Sequence, residues 1–162
     1  MTPAFFIKTA LEPALSLLPV WMDTPAARAM VIAVCLQESR LTYRRQTDGP
    51  ARGYAQFEQS GGVIGVLTHP ASRNPVRAVL AALDYDPGSG SKACWCALEH
   101  NDILTASFAR LLLWTEPKPL PAQGDIEGSW QYYVDLWRPG KPQRLSWEAF
   151  FLLAWEKVGV TT

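Results

Sequence analysis

The sequence predicts an all-α protein, and three observations carry that prediction. Apolar residues recur at helical spacing along most of the chain, helix-start signals stand before several of those runs, and no stretch alternates apolar and polar residues as a half-buried strand does. A chain of 162 residues, 48% of them hydrophobic, fits one domain and can bury a core without disulfide or metal staples. We therefore expect a single, mainly helical domain over residues 1–162.

The first helix is expected from about Pro3 to Leu18, with Phe6, Ala10, Ala14 and Leu17 on one side and Pro19 marking its end. Thr24-Pro25 is an N-cap followed by a first-turn proline, and the strongly apolar run Ala26 to Arg40 that follows is the expected core helix. Between Thr47 and Gly65 the composition shifts to glycine, glutamine, arginine and aromatic residues, and helical periodicity fades. Within that stretch Gly61-Gly62 and Gly65 interrupt Val63, Ile64, Val66 and Leu67, as a flexible cleft edge or a simple turn would. Asn74-Pro75 repeats the cap-and-proline signature and opens a helix to about Leu83, followed by a glycine-rich loop from Asp84 to Ser91. A long helix is expected from Cys94 or Asn101 to Thr115, then a connector stiffened by Pro117, Pro119 and Pro121. Asp125 can cap a helix running through Trp137, where Arg138-Pro139-Gly140 stops it. Ser146 opens a last apolar helix to about Lys157.

Composition excludes several functions. Lysine plus arginine equals aspartate plus glutamate at 15 each, so no summed field draws in a polyanion, and nucleic acid is not an expected partner. The longest apolar stretches, Ala29 to Leu36 and Phe150 to Trp155, fall short of the roughly 20 residues that span a bilayer, so stable membrane insertion is not expected. The stretch Met1 to Val20 carries prolines and Glu12 and makes a poor signal peptide, which points to folding in a cytoplasm. Three cysteines, an odd number, argue for reduced thiols. Cys94 and Cys96 with His100 lack a second ligand pair, so they read as buried cysteines beside a helix, and neither metal nor cofactor is expected.

The chemistry centres on Glu38. Ala27, Val31, Val34 and Glu38 follow one another at spacings of four, three and four, so a carboxylate continues the apolar face of the core helix at its C-terminal end. Burial and the negative end of the helix dipole both disfavour the anion there, and few cations lie on that face. A glutamate that keeps its proton near neutral pH is what glycosidic cleavage requires, because the leaving oxygen must be protonated as the bond breaks. The alternatives are that Glu38 pairs with Arg40 or Arg44, or reaches solvent at the helix end. The expected helix Asp125 to Trp137 also concentrates Trp130, Tyr132, Tyr133 and Trp137, side chains on which sugar rings stack. Trp130, Tyr133 and Trp137 share one stripe, the spacing of a buried face, which leaves Tyr132 as the better candidate for a cleft or surface role. His69 reads as a capping or surface histidine.

The string Leu36-Gln37-Glu38-Ser39-Arg40-Leu41, followed by Gly53-Tyr54-Ala55-Gln56-Phe57, resembles the signature of lytic transglycosylases and goose-type lysozymes. In that family a helix ends in a Glu-Ser pair and a Gly-x-x-Gln segment follows a short loop. The resemblance implies a lysozyme-like fold and cleavage of the β-1,4 bond between N-acetylmuramic acid and N-acetylglucosamine in peptidoglycan, without metal or cofactor. It implies Glu38 as general acid and base, Ser39 assisting substrate or intermediate binding, and Gly53, Tyr54, Gln56 and Phe57 along the cleft. A tyrosine hydrogen-bonds the glutamate in the family, and the nearest candidates here are Tyr132 and Tyr133. The chain departs from the pattern at Ala55, where the family has methionine, and lacks an intact Tyr-Asn-Gly segment.

Hydrolysis or anhydro-sugar formation turns on a second carboxylate, for which Asp48 and Glu58 are the candidates near the motif. An inverting base sits about 6.5–9.5 Å from the acid and a retaining nucleophile about 5–5.5 Å. Arg44, Arg45, Gln46 and Gly49 to Arg52 resemble a bacteriophage version of the family. That resemblance implies an endolysin or virion-borne enzyme, made in the host cytoplasm and acting on glycan strands in the periplasm; the sequence itself leaves the oligomeric state open, with a monomer favoured. Ala55 and the missing segment sustain the alternative of an inactive lysozyme-like module with a structural or glycan-binding role in a virion or secretion machine.

Overall fold

The computed structural model describes residues 1–159, and over them the chain is all-helical. Among the described residues the only β pairing is two isolated bridges, Arg45 with Arg52 and Arg52 with Phe57. The first rod is α1 (Pro3–Phe6), a π turn (Ile7–Leu11) and α2 (Glu12–Ser16) in continuous succession. Thr2 caps it by accepting from the Phe5 amide. The wide turn ends two residues before Pro13, whose ring and missing N–H disturb the regular helical ladder.

The centre of the molecule is α3 (Pro25–Ser39), capped by Thr24 as its sequence predicts, with the Ala27 amide donating to the hydroxyl at 3.1 Å. Ala29 through Cys35 are fully buried, so this helix is apolar all round and is wrapped by other elements. Its most extensive helix neighbour among the described residues is α9 (Arg144–Gly159). The second central helix is α7 (Asp102–Trp114), buried continuously from Leu104 to Leu113 and capped by Asn101. Buried side chains from the first rod, α3, α7, α8 (Ile126–Trp137) and α9 join in one hydrophobic core. None of the described helices is long and apolar enough to cross a membrane.

Several expectations are corrected. Of the two starts expected for the long helix up to Thr115, Asn101 is the one found, as the cap of α7, while the residues around Cys94 form a separate helix, α6 (Ser91–Leu98). The helix expected from Asn74-Pro75 is α5 (Arg73–Ala82), which begins earlier because Ser72 is fixed by its hydroxyl donating to the Val66 carbonyl at 2.7 Å. The last helix begins at Arg144 rather than Ser146. The glycine-rich stretch is helical rather than a simple turn, Gln59–Val63 forming a π turn that runs into α4 (Ile64–Thr68), and Gly61, Gly62 and Gly65 do lie along the edge of a cleft. Cys94 is buried as expected, but Cys96 is exposed.

Candidate active site

Glu38 stands in the last turn of α3, which ends because Arg40 and Leu41 both take left-handed backbone, with φ of 52° and 53°. The Leu41 amide then bonds back to the Cys35 carbonyl and buries the Leu41 side chain, a Schellman-like closure. This turn sends the chain back beneath the helix end, and residues 51–57 come to lie beside Glu38.

That loop is fastened at both ends. The Arg44 guanidinium grips Asp102 at the start of α7 through two hydrogen bonds of 2.8 Å and lies over the Tyr54 ring. Arg52 is buried, paired with Glu99 at 2.9 Å and stacked on Trp95, whose indole N–H donates to the Pro50 carbonyl. Ser39 Oγ lies 2.7 Å from the Tyr54 carbonyl and 3.0 Å from that of Cys35. From the opposite side, Trp137 Nε1 donates to the Ala55 carbonyl at 2.9 Å.

Glu38 lies partly exposed on the wall of a groove of about 1040 Å³. The Tyr133 hydroxyl donates to Glu38 Oε1 at 2.6 Å. Burial pushes the Glu38 carboxyl up to about 7, the Tyr133 hydrogen bond holds it back, and the negative charge of Glu58 raises it further. The cationic alternatives fall away: Arg44 is engaged by Asp102, and among the described residues no lysine or arginine forms an ion pair with Glu38.

The Tyr133 ring is held by stacking on Trp147, with centroids 4.7 Å apart and planes at 17°, and by Trp130 and Trp137 on its flanks. Tyr133 is thus both a member of the buried stripe and the partner of Glu38. Tyr132 does not line this groove: it is buried on the other side of α8, where its hydroxyl meets the carbonyls of Leu113 and Lys118, and it borders a second pocket there.

Gln56, Phe57 and Glu58 line the same groove as Glu38. Ser39, Gly53 and Tyr54 do not line it; all three are buried behind the wall. Gly53 has φ +71°, and a Cβ there would come within 2.5 Å of Thr105 Oγ1, so its role is close packing of the loop on α7. Of the two candidate second carboxylates, Glu58 lines the groove while Asp48 belongs to the exposed loop tip with φ +55°. His69 is exposed, as expected, and its Nδ1 accepts from the Ala71 amide. Asp135, Trp137 and Lys141 also line the groove, none of them expected there from sequence except Trp137 as part of an aromatic wall. Asp135 gave no signal, being one exposed carboxylate that accepts from Gln131 on its own helix.

Comparison with protein-family models, curated proteins and solved structures finds no match to this chain. The chemistry of the groove is therefore the basis for assigning a role.

Proposed function

We propose that this protein is a peptidoglycan-cleaving glycosidase of lytic transglycosylase or lysozyme type, with Glu38 as its general acid. One observation carries the reading: a carboxyl that keeps its proton up to about pH 7 opens onto a groove large enough for saccharide units and is oriented by a hydrogen bond from Tyr133. Near neutral pH a substantial fraction of Glu38 is protonated, so it can donate to the glycosidic oxygen as the C–O bond breaks. The carboxylate so formed is stabilised by the Tyr133 hydroxyl. It then takes a proton either from water or from the sugar's own 6-hydroxyl, giving a reducing end or an anhydro end respectively. Glu58 and Asp135 are the groove carboxylates available to assist a water molecule.

The setting we propose is bacteriophage lysis or entry, with the glycan strand as partner. Purified protein is expected to clear chloroform-treated Gram-negative cells, and Glu38→Gln to abolish clearing while the helical circular dichroism stays unchanged. Clearing that persists in the folded variant removes Glu38 from the role. A wild-type protein that binds the wall without clearing it would instead support the inactive glycan-binding module. Mass spectra of the released fragments separate anhydro from reducing ends.

A further inference from the structure

The groove continues past α4. His69 and Thr115 line it and also border a second pocket of about 740 Å³, walled by Trp21, Trp114, Pro117, Pro119 and Leu120. The prolines stiffen this wall, and its indoles offer flat apolar faces.

Arg110 from α7, only 2% exposed, lines the pocket. Its Nε donates to the Met22 carbonyl at 2.7 Å, and the Trp114 ring lies over its guanidinium at 5.1 Å. Its Nη1 is buried and has no hydrogen-bond partner. The carboxylates around it do not supply one. Asp23 is held by Arg28 through bonds of 2.6 and 2.7 Å, and Glu116, on the pocket rim, accepts from the Lys118 amide. Burial pushes the guanidinium down to about 10, which still leaves it charged at neutral pH. A buried cation with a spare donor is costly, and a carboxylate is the ligand group that best matches the guanidinium fork.

We propose that this pocket is a carboxylate-binding subsite of the Glu38 groove, which takes the acidic substituent of an N-acetylmuramic acid residue while the sugar or peptide body lies on the indole and proline wall. The assignment rests on the glycan reading of the groove. Trp114 lies over the Arg110 guanidinium and is 36% exposed, so a carboxylate seated against Nη1 is expected to change its surroundings and its indole emission.

The test titrates the unaltered protein by tryptophan fluorescence with N-acetylmuramic acid, with N-acetylmuramyl-alanyl-isoglutamine, and with the methyl ester of the latter. At least one acid is expected to give a saturable change, and the ester to bind about tenfold more weakly or worse than its acid. Binding by N-acetylmuramic acid alone assigns the lactyl carboxylate, and tight binding by the peptide acid assigns the stem. Saturable binding of the peptide acid and its ester with equal affinity, or no saturable change with either acid, overturns the subsite. Arg110→Gln is expected to erase the acid–ester difference, and if that variant does not fold, the ester comparison on the unaltered protein decides. These outcomes are independent of the clearing assay with Glu38→Gln, so loss of the subsite and loss of the glycosidase reading are told apart.

Discussion

At the scale of single residues, Glu38 and Tyr133 set the pH behaviour. In the proposed reading the acid donates only while protonated, so clearing activity is expected to fall as pH rises through about 7. Tyr133→Phe removes the hydrogen bond that favours the carboxylate, so the Glu38 pKa rises and the alkaline limb of the pH profile moves up, while the maximal rate drops as the carboxyl loses its orientation. A profile of clearing rate against pH for the two proteins checks this; an unmoved limb means that Tyr133 does not touch the titrating group. Glu38 was legible in the sequence because a carboxylate on an apolar helical stripe is out of place and the Glu38-Ser39 pair is followed by the Gly53 to Phe57 segment; the stripe alone would not have singled it out. Tyr133 was only half legible. Its spacing with Trp130 and Trp137 correctly predicts a buried ring, but a phenol can bury its ring and still deliver its hydroxyl beyond the core, which periodicity does not encode.

At the scale of elements, sequence signals did best where a cap fixed the backbone. Thr24-Pro25 and Asp125 start α3 and α8 as expected, because their side chains accept the early helix amides whatever the tertiary setting. They did worst over residues 59–68, where glycines suggested a break but packing draws the segment into helix: Val63 and Val66 are buried, and Gly62 lets the backbone approach the Phe57 ring. The loop 51–57 was legible as a motif and not as geometry. Its shape comes from distant partners, Asp102, Glu99 and Thr105, that no local pattern names. Gly53→Ala is accordingly expected to lower stability by about 1–3 kcal/mol, since the added Cβ meets Thr105 Oγ1 and the left-handed backbone penalises it as well. Chemical denaturation measures the loss, and a variant as stable as the parent would show that the loop has other room to relax.

At the scale of the molecule, the all-helical class follows from composition and period alone, whereas the groove depends on how the helices are brought together. Tyr133 is held against Trp147, which is fully buried and donates its indole N–H to Ser129 Oγ at 2.9 Å. Trp147→Ala is expected to cost about 3–5 kcal/mol, as other large-to-small changes in cores do, and to reduce clearing per folded molecule by freeing the phenol beside Glu38. Denaturation curves and specific activity measured below the transition separate the two effects; full specific activity in a destabilised variant would show that the stack does not position Tyr133. The walls of the groove come from the end of α3, from residues 56–65 and from residues 135–141, three stretches far apart along the chain. A nascent chain still short of α8 has neither the phenol that meets Glu38 nor the far bank of the trench, so the site comes into being only after nearly the whole chain has been made.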